Sequence, residues 1–155
     1  MEKIARIVIA GASMTLASGA LMAQAKPEDL IKFRQSGYTF MAWNMGRIKA
    51  SVEGAYNKDQ VVQAANAIAA IANSGMGALY APGTDKGKGW KDTRVKPELF
   101  TDREGVGKVA RAFNMAANEM ARAAASGDQL AVTEAFDNLG KACKGCHDKY
   151  RVDEK

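Results

Sequence analysis

A chain of 155 residues is long enough for one domain with a real core and short for two. With 47% hydrophobic and 25% charged residues, its composition excludes a disordered or collagen-like chain. The net charge of +5 is modest and scattered, without the clustered basic footprint that nucleic-acid binding needs.

The first segment reads as an address rather than part of the fold. Two basic residues, Lys3 and Arg6, precede an uncharged stretch from Ile7 to Ala23, and Ala23-Gln24-Ala25 supplies a small-residue cleavage site. This pattern predicts a secretory signal over 1–25, cleaved after Ala25, and a mature domain over 26–155. The stretch is rich in Gly, Ala and Ser and too weakly apolar for a membrane anchor, so no membrane association is expected after cleavage. Losing Lys3, Arg6 and Glu2 takes the net charge from +5 to +4.

Four amphipathic helices are predicted after that. The first runs from about Pro27 to about Ala55, with Ile31, Tyr38, Met45 and Val52 on one inner row. Arg34, Met41, Ile48 and Ala55 form the row beside it. The second starts after Asn57 as cap and keeps Val61, Ala65, Ile68, Ala72, Met76 and Leu79 on one face. Ala81–Phe100 then shows no helical stripe, and a connection of that length is either functional or a surface crossover. The functional version has it wrapping a cofactor, with Trp90 as packing anchor. The third helix is predicted from a capping box at Thr101-Asp102-Arg103-Glu104, burying Val106, Val109, Phe113, Ala116, Met120 and Ala123. Ser126-Gly127 breaks the chain, and Asp128 caps a fourth helix carrying Val132, Phe136, Leu139, Cys143, Cys146 and Tyr150 inward. Period-two runs of β-branched residues are missing. An all-α fold follows, an antiparallel four-helix bundle.

The chemistry sits on the fourth helix, in Cys143-Lys144-Gly145-Cys146-His147. Cys-x-x-Cys-His is the attachment sequence for one covalent haem c. Two cysteines three apart share a helical face, so both thiols can reach vinyl groups of one porphyrin, and His147 can reach the iron from that side. A disulfide across one turn would close almost no loop and stabilise little. A thioredoxin-type pair belongs beside a strand, and a zinc site needs four ligands where this chain offers two cysteines and a single histidine.

That single histidine also bounds the iron's coordination. With His147 on one side, the sixth position is methionine, another weak ligand, or nothing. The mature chain has Met41, Met45, Met76, Met115 and Met120, and methionines at helical spacing more often fill cores. Arg34 on an inner row either snorkels to the surface or pairs with a haem propionate. Tyr38, one turn on, either packs in the core or caps the iron's open face.

Taken together, these residues resemble the cytochromes c′. The likeness rests on Lys26-Pro27-Glu28-Asp29, Phe33-Arg34-Gln35-Ser36-Gly37-Tyr38, Pro82-Gly83-Thr84, Lys96-Pro97-Glu98 and the run from Cys143 to Arg151, in order along the mature chain. The resemblance implies an up-down-up-down bundle, a periplasmic location and a homodimer paired through the first two helices. It also implies five-coordinate, high-spin iron whose crowded distal face admits nitric oxide and carbon monoxide. It assigns Arg34 and Gln35 to the propionate side, Tyr38 to the distal pocket and Arg151 to the proximal pocket. Thr93 and Arg94 are the loop residues placed against the haem. Many members carry an aliphatic residue at the Tyr38 position, and methionine there marks six-coordinate, low-spin relatives. A phenol keeps the steric block and adds a hydroxyl. The expected function is therefore gas binding together with electron exchange with an unknown redox partner. The alternative is a methionine-ligated electron carrier on the same fold. No catalytic role is expected, because no paired carboxylates or hydroxyl–histidine dyad can be inferred.

Overall fold

The computed structural model of the chain describes residues 25–153. The predicted export segment, apart from Ala25, lies outside the described residues. Five helices follow in order: α1 (Pro27–Glu53), α2 (Lys58–Ala72), α3 (Glu98–Thr101), α4 (Arg103–Ser126) and α5 (Gln129–Tyr150). The four long ones form an antiparallel up-down-up-down bundle, and α3 is a single turn. Among the described residues, no helix is long and apolar enough to cross a membrane.

The helix ends follow local chemistry. Pro27 opens α1, where its missing N–H costs nothing. The corner into α2 is tied by Ser51, whose Oγ accepts from Asn57 N at 2.8 Å, while Asn57 Oδ1 accepts from Gln60 N at 3.0 Å. Asp128 caps α5 as predicted, accepting from Leu130 N at 2.9 Å.

Three boundaries differ from the sequence reading. Helix α1 stops at Glu53, so Ala55 lies outside it and exposed. Helix α2 stops at Ala72: Asn73 Nδ2 takes the Ala69 carbonyl at 2.8 Å, and Gly75 turns left-handed with φ 83°. Met76 and Leu79 therefore reach inward from a separate 3₁₀ turn (Met76–Leu79) and not from α2. The predicted capping box is displaced too. Pro97 starts the turn α3, so Thr101 is already helical, and Asp102 caps α4 by accepting from Gly105 N at 2.8 Å.

Asp102 has a second partner. Tyr150 Oη donates to its Oδ2 at 2.6 Å, tying the end of α5 to the start of α4. That bond pushes the Tyr150 phenol up to about 12. The same bond, followed by the one from Gly105 N, holds the Asp102 carboxyl below its ordinary range. Gly105 has to be a glycine here, because a Cβ would collide with both Asp102 and Tyr150.

Around the bundle, α1 packs on α2, α2 on α4, and α4 on α5, whereas α1 and α5 touch only lightly. Met41 and Ile48, Val61, Ala65 and Ile68, Met120, and Val132 and Leu139 meet in one buried cluster, with Phe113 and Cys143 packed half-buried against it. Val106 and Val109 of α4 and Cys146 of α5 are also half-buried.

Candidate cofactor site

Cys143, Cys146 and His147 stand on the last two turns of α5, all three half-buried. Both cysteines are free, half-buried thiols. Burial pushes both thiols up, the neighbouring Cys146 adding to the effect at Cys143. Such an environment is not that of an activated redox thiolate. Among the described residues, no group of three or more His, Cys, Asp and Glu could hold a metal ion. Burial, followed by the charges of Arg151 and Arg94, lowers the pKa of His147. Its imidazole is therefore neutral at pH 7, the form that ligates a metal. Arg151 Nη1 lies 3.4 Å from His147 Nε2.

Across the lightly closed seam stands α1. Arg34 does not snorkel: only 3% of its surface is exposed. Its guanidinium donates to Thr84 Oγ1 at 2.8 Å, to Thr93 Oγ1 at 2.6 Å and to the Leu79 carbonyl at 3.3 Å, with a further bond to the Thr84 carbonyl. Every one of these acceptors is neutral. Burial lowers the pKa of Arg34, opposed by the nearby Tyr80, Tyr38 and Asp85. Tyr38 is 38% exposed, yet its hydroxyl is enclosed enough that burial raises its pKa, and Cys146 and Cys143 lie within electrostatic reach. The phenol on α1 is thus within electrostatic reach of the two thiols on α5.

The 20-residue connection is not slack. Gln35 Oε1 accepts from Trp90 N at 2.8 Å and Lys91 N at 3.3 Å, and its Nε2 donates to Lys91 O at 2.9 Å. The predicted propionate-side amide is thus occupied with loop backbone in this structure. Gly89 permits the approach, since a Cβ there would sit 2.6 Å from Gln35 Oε1 and 2.8 Å from Lys32 N. Trp90 lies outside the seam, 68% exposed, its Nε1 donating to Ser36 Oγ at 2.8 Å. It anchors the loop on the outer face of α1 and not on a cofactor. Further along, the loop clips onto the end of α5. Val95 bridges Arg151, Lys96 N donates to Tyr150 O at 2.9 Å, and Val152 N donates to Arg94 O at 2.8 Å. Thr93 and Arg94 therefore sit between the two anchors, Thr93 on Arg34 and Arg94 within reach of His147.

The methionines divide clearly. Met41 and Met120 are buried in the core cluster, Met45 and Met76 pack against it, and Met115 is 72% exposed. Two site residues escaped the sequence reading of roles. Thr84 is fully buried under Arg34, and Tyr80 places its hydroxyl 3.1 Å from that of Tyr38. Thr84 stood in the Pro82-Gly83-Thr84 run without a role attached. Tyr80 carried no periodic signal at all.

These residues fit a haem. The apolar residues beside Cys143 and Cys146 are only half-buried, and Arg34 is a buried guanidinium whose hydrogen-bond acceptors are all neutral. In addition, Arg151 Nε, beside His147, is buried without a hydrogen-bond partner. Comparison with known proteins agrees. The Cytochrome C′ family model matches residues 29–151. The chain belongs to the cytochrome c′ family.

A cytochrome c′ of Allochromatium vinosum is 60% identical over 140 residues, covering 90% of this chain and 91% of that one. One solved structure, described as a cytochrome c′ with an unusual ligand-controlled dimer dissociation, superposes with a TM-score of 0.82 at 60% identity. It covers 84% of this chain and 100% of its own. Another, a nitric oxide complex of a mutant cytochrome c′ from Alcaligenes xylosoxidans, gives a TM-score of 0.73 at 31% identity. It covers 83% of this chain and 98% of its own. As a member of this family the chain is a c-type haem protein, with covalent haem c as its cofactor.

Proposed function

We propose that this cytochrome c′ is exported to the periplasm after cleavage behind Ala25, and that it binds nitric oxide and carbon monoxide at five-coordinate, high-spin iron. It exchanges electrons with a redox partner, and no enzymatic turnover is assigned to it. When bound, the haem supplies a redox-active iron with one face open to a small ligand. Cys143 and Cys146 would hold the ring by two thioethers, and His147 would supply the iron's protein ligand. Arg34 meets the propionate side, Gln35, Thr93 and Arg94 line the loop side, and Arg151 backs His147.

One observation carries the reading. The α1 residue within electrostatic reach of both thiols is Tyr38, a bulky side chain that is not a methionine. The nitric oxide complex of the Alcaligenes relative supports the same ligand class here. A homodimer through α1 and α2 is supported by the described dimer dissociation of one relative. This chain also presents an apolar surface for it, with Phe33, Phe40 and Trp43 exposed on α1 and the last two stacked at 5.4 Å.

The absorption spectrum tests the coordination. The ferrous protein should be high-spin and should shift on adding carbon monoxide. A sharp low-spin spectrum that ignores carbon monoxide would hand the function to the methionine-ligated electron carrier, with Met41 or Met45 as ligand.

Arg34→Leu tests the propionate pairing. Removing a positive charge beside a partly buried acid should lower the reduction potential. The same change strips charged hydrogen bonds from Thr84 and Thr93 and should cost about 2–3 kcal/mol of stability. An unchanged potential across neutral pH in a folded variant would assign Arg34 to the loop alone.

A further inference from the structure

Tyr80 closes the 3₁₀ turn, its backbone N–H donating to Gly77 O at 3.1 Å. Two interlocks fix that turn against α1. On one side Arg34 Nη1 donates to Leu79 O at 3.3 Å, and the guanidinium carbon lies 4.8 Å from the centroid of the Tyr80 ring. On the other, Met76 fills the notch left by Gly37, where a Cβ would stand 2.9 Å from Met76 Cε. Between these interlocks the Tyr80 hydroxyl donates to Tyr38 Oη at 3.1 Å. The two phenols are unequal partners. Tyr80 is half-buried, with its ring under a buried arginine and its backbone in a tied turn. Tyr38 stands on an open stretch of α1 with more than a third of its surface free.

We propose that Tyr80 is a positioning residue for ligand entry: its fixed hydroxyl holds the movable Tyr38 ring across the site. Swinging that ring aside for a diatomic ligand then requires breaking the phenol–phenol bond. The inference rests on the reading of Tyr38 as the distal gate. It adds a second residue, whose part in the gate is its hydroxyl.

The test is a double-mutant cycle on the haem-loaded protein, using Tyr80→Phe, Tyr38→Phe and the double variant. Each keeps its aromatic ring, so Arg34 retains its aromatic neighbour and the fold is preserved. Carbon monoxide association with the ferrous protein should rise roughly five-fold in either single variant, the factor that one neutral hydrogen bond represents. The double variant should be no faster than either single one, because both remove the same bond. A second readout needs no ligand: the thermal unfolding of the three variants should show the same non-additivity. Additive effects in the two cycles would overturn the proposal. So would a Tyr80→Phe variant that binds carbon monoxide at the wild-type rate while Tyr38→Ala accelerates it, a result that leaves the gate standing. If Tyr38→Ala also leaves the rate unchanged, the gate itself falls and the latch with it.

Discussion

Tyr38→Ala should bind carbon monoxide faster and more tightly than the wild type, by about ten-fold or more. On the proposed reading, a ligand approaching from the α1 side has to displace the Tyr38 ring, which is hydrogen-bonded to Tyr80. Moving such a ring forfeits about 1–2 kcal/mol of dispersion contacts, and 1.4 kcal/mol is a factor of ten in rate. Alanine has no ring to move. Tyr38→Phe removes the hydroxyl alone and should fall between alanine and wild type. Stopped-flow mixing of the ferrous proteins with carbon monoxide reads this order directly. Because α1 also carries the exposed Phe33, Phe40 and Trp43, a ring displaced from the seam can disturb the proposed dimer surface. Sedimentation with and without carbon monoxide checks that coupling. An alanine variant with unchanged rate and affinity would make Tyr38 ordinary packing and place the gate elsewhere.

The second large effect concerns the cysteines. In a Cys143→Ala, Cys146→Ala double variant, no thioether can form, so denaturation should release the haem completely. Either single variant keeps one sulfur and should hold the haem by one link. The fold should respond as well. Val106, Val109 and Phe113 are only half-buried. A haem that dissociates leaves these side chains short of partners, and the melting temperature should fall by several degrees or more. Loss of stability in the double variant, with less in each single one, would show that the covalent haem completes the core.

Much of this arrangement is legible in the sequence, for identifiable reasons. The four long helices follow from apolar positions at three- and four-residue steps. Asn57 and Asp128 mark their starts because a short polar side chain can satisfy free backbone N–H groups. The attachment run and Arg34 are legible because an inward charge on a helix is costly and demands a partner. What the sequence conceals depends on contacts between distant segments. The start of α4 was misplaced by one residue because Pro97 creates a separate turn that uses up Thr101. The end of α2 was overrun because Met76 and Leu79 continue the apolar spacing through a left-handed break at Gly75. Gln35 reads as a polar neighbour of Arg34, but its amide is engaged by loop backbone more than fifty residues away. Tyr80 lies in an aperiodic turn, and only the fold brings it to Tyr38.

The covalent attachment of haem to this chain is the claim on which the rest depends. Acid–organic extraction of the purified wild-type protein tests it most directly. The red colour should stay with the polypeptide, held by thioethers to Cys143 and Cys146. Haem that passes cleanly into the organic layer would contradict the account.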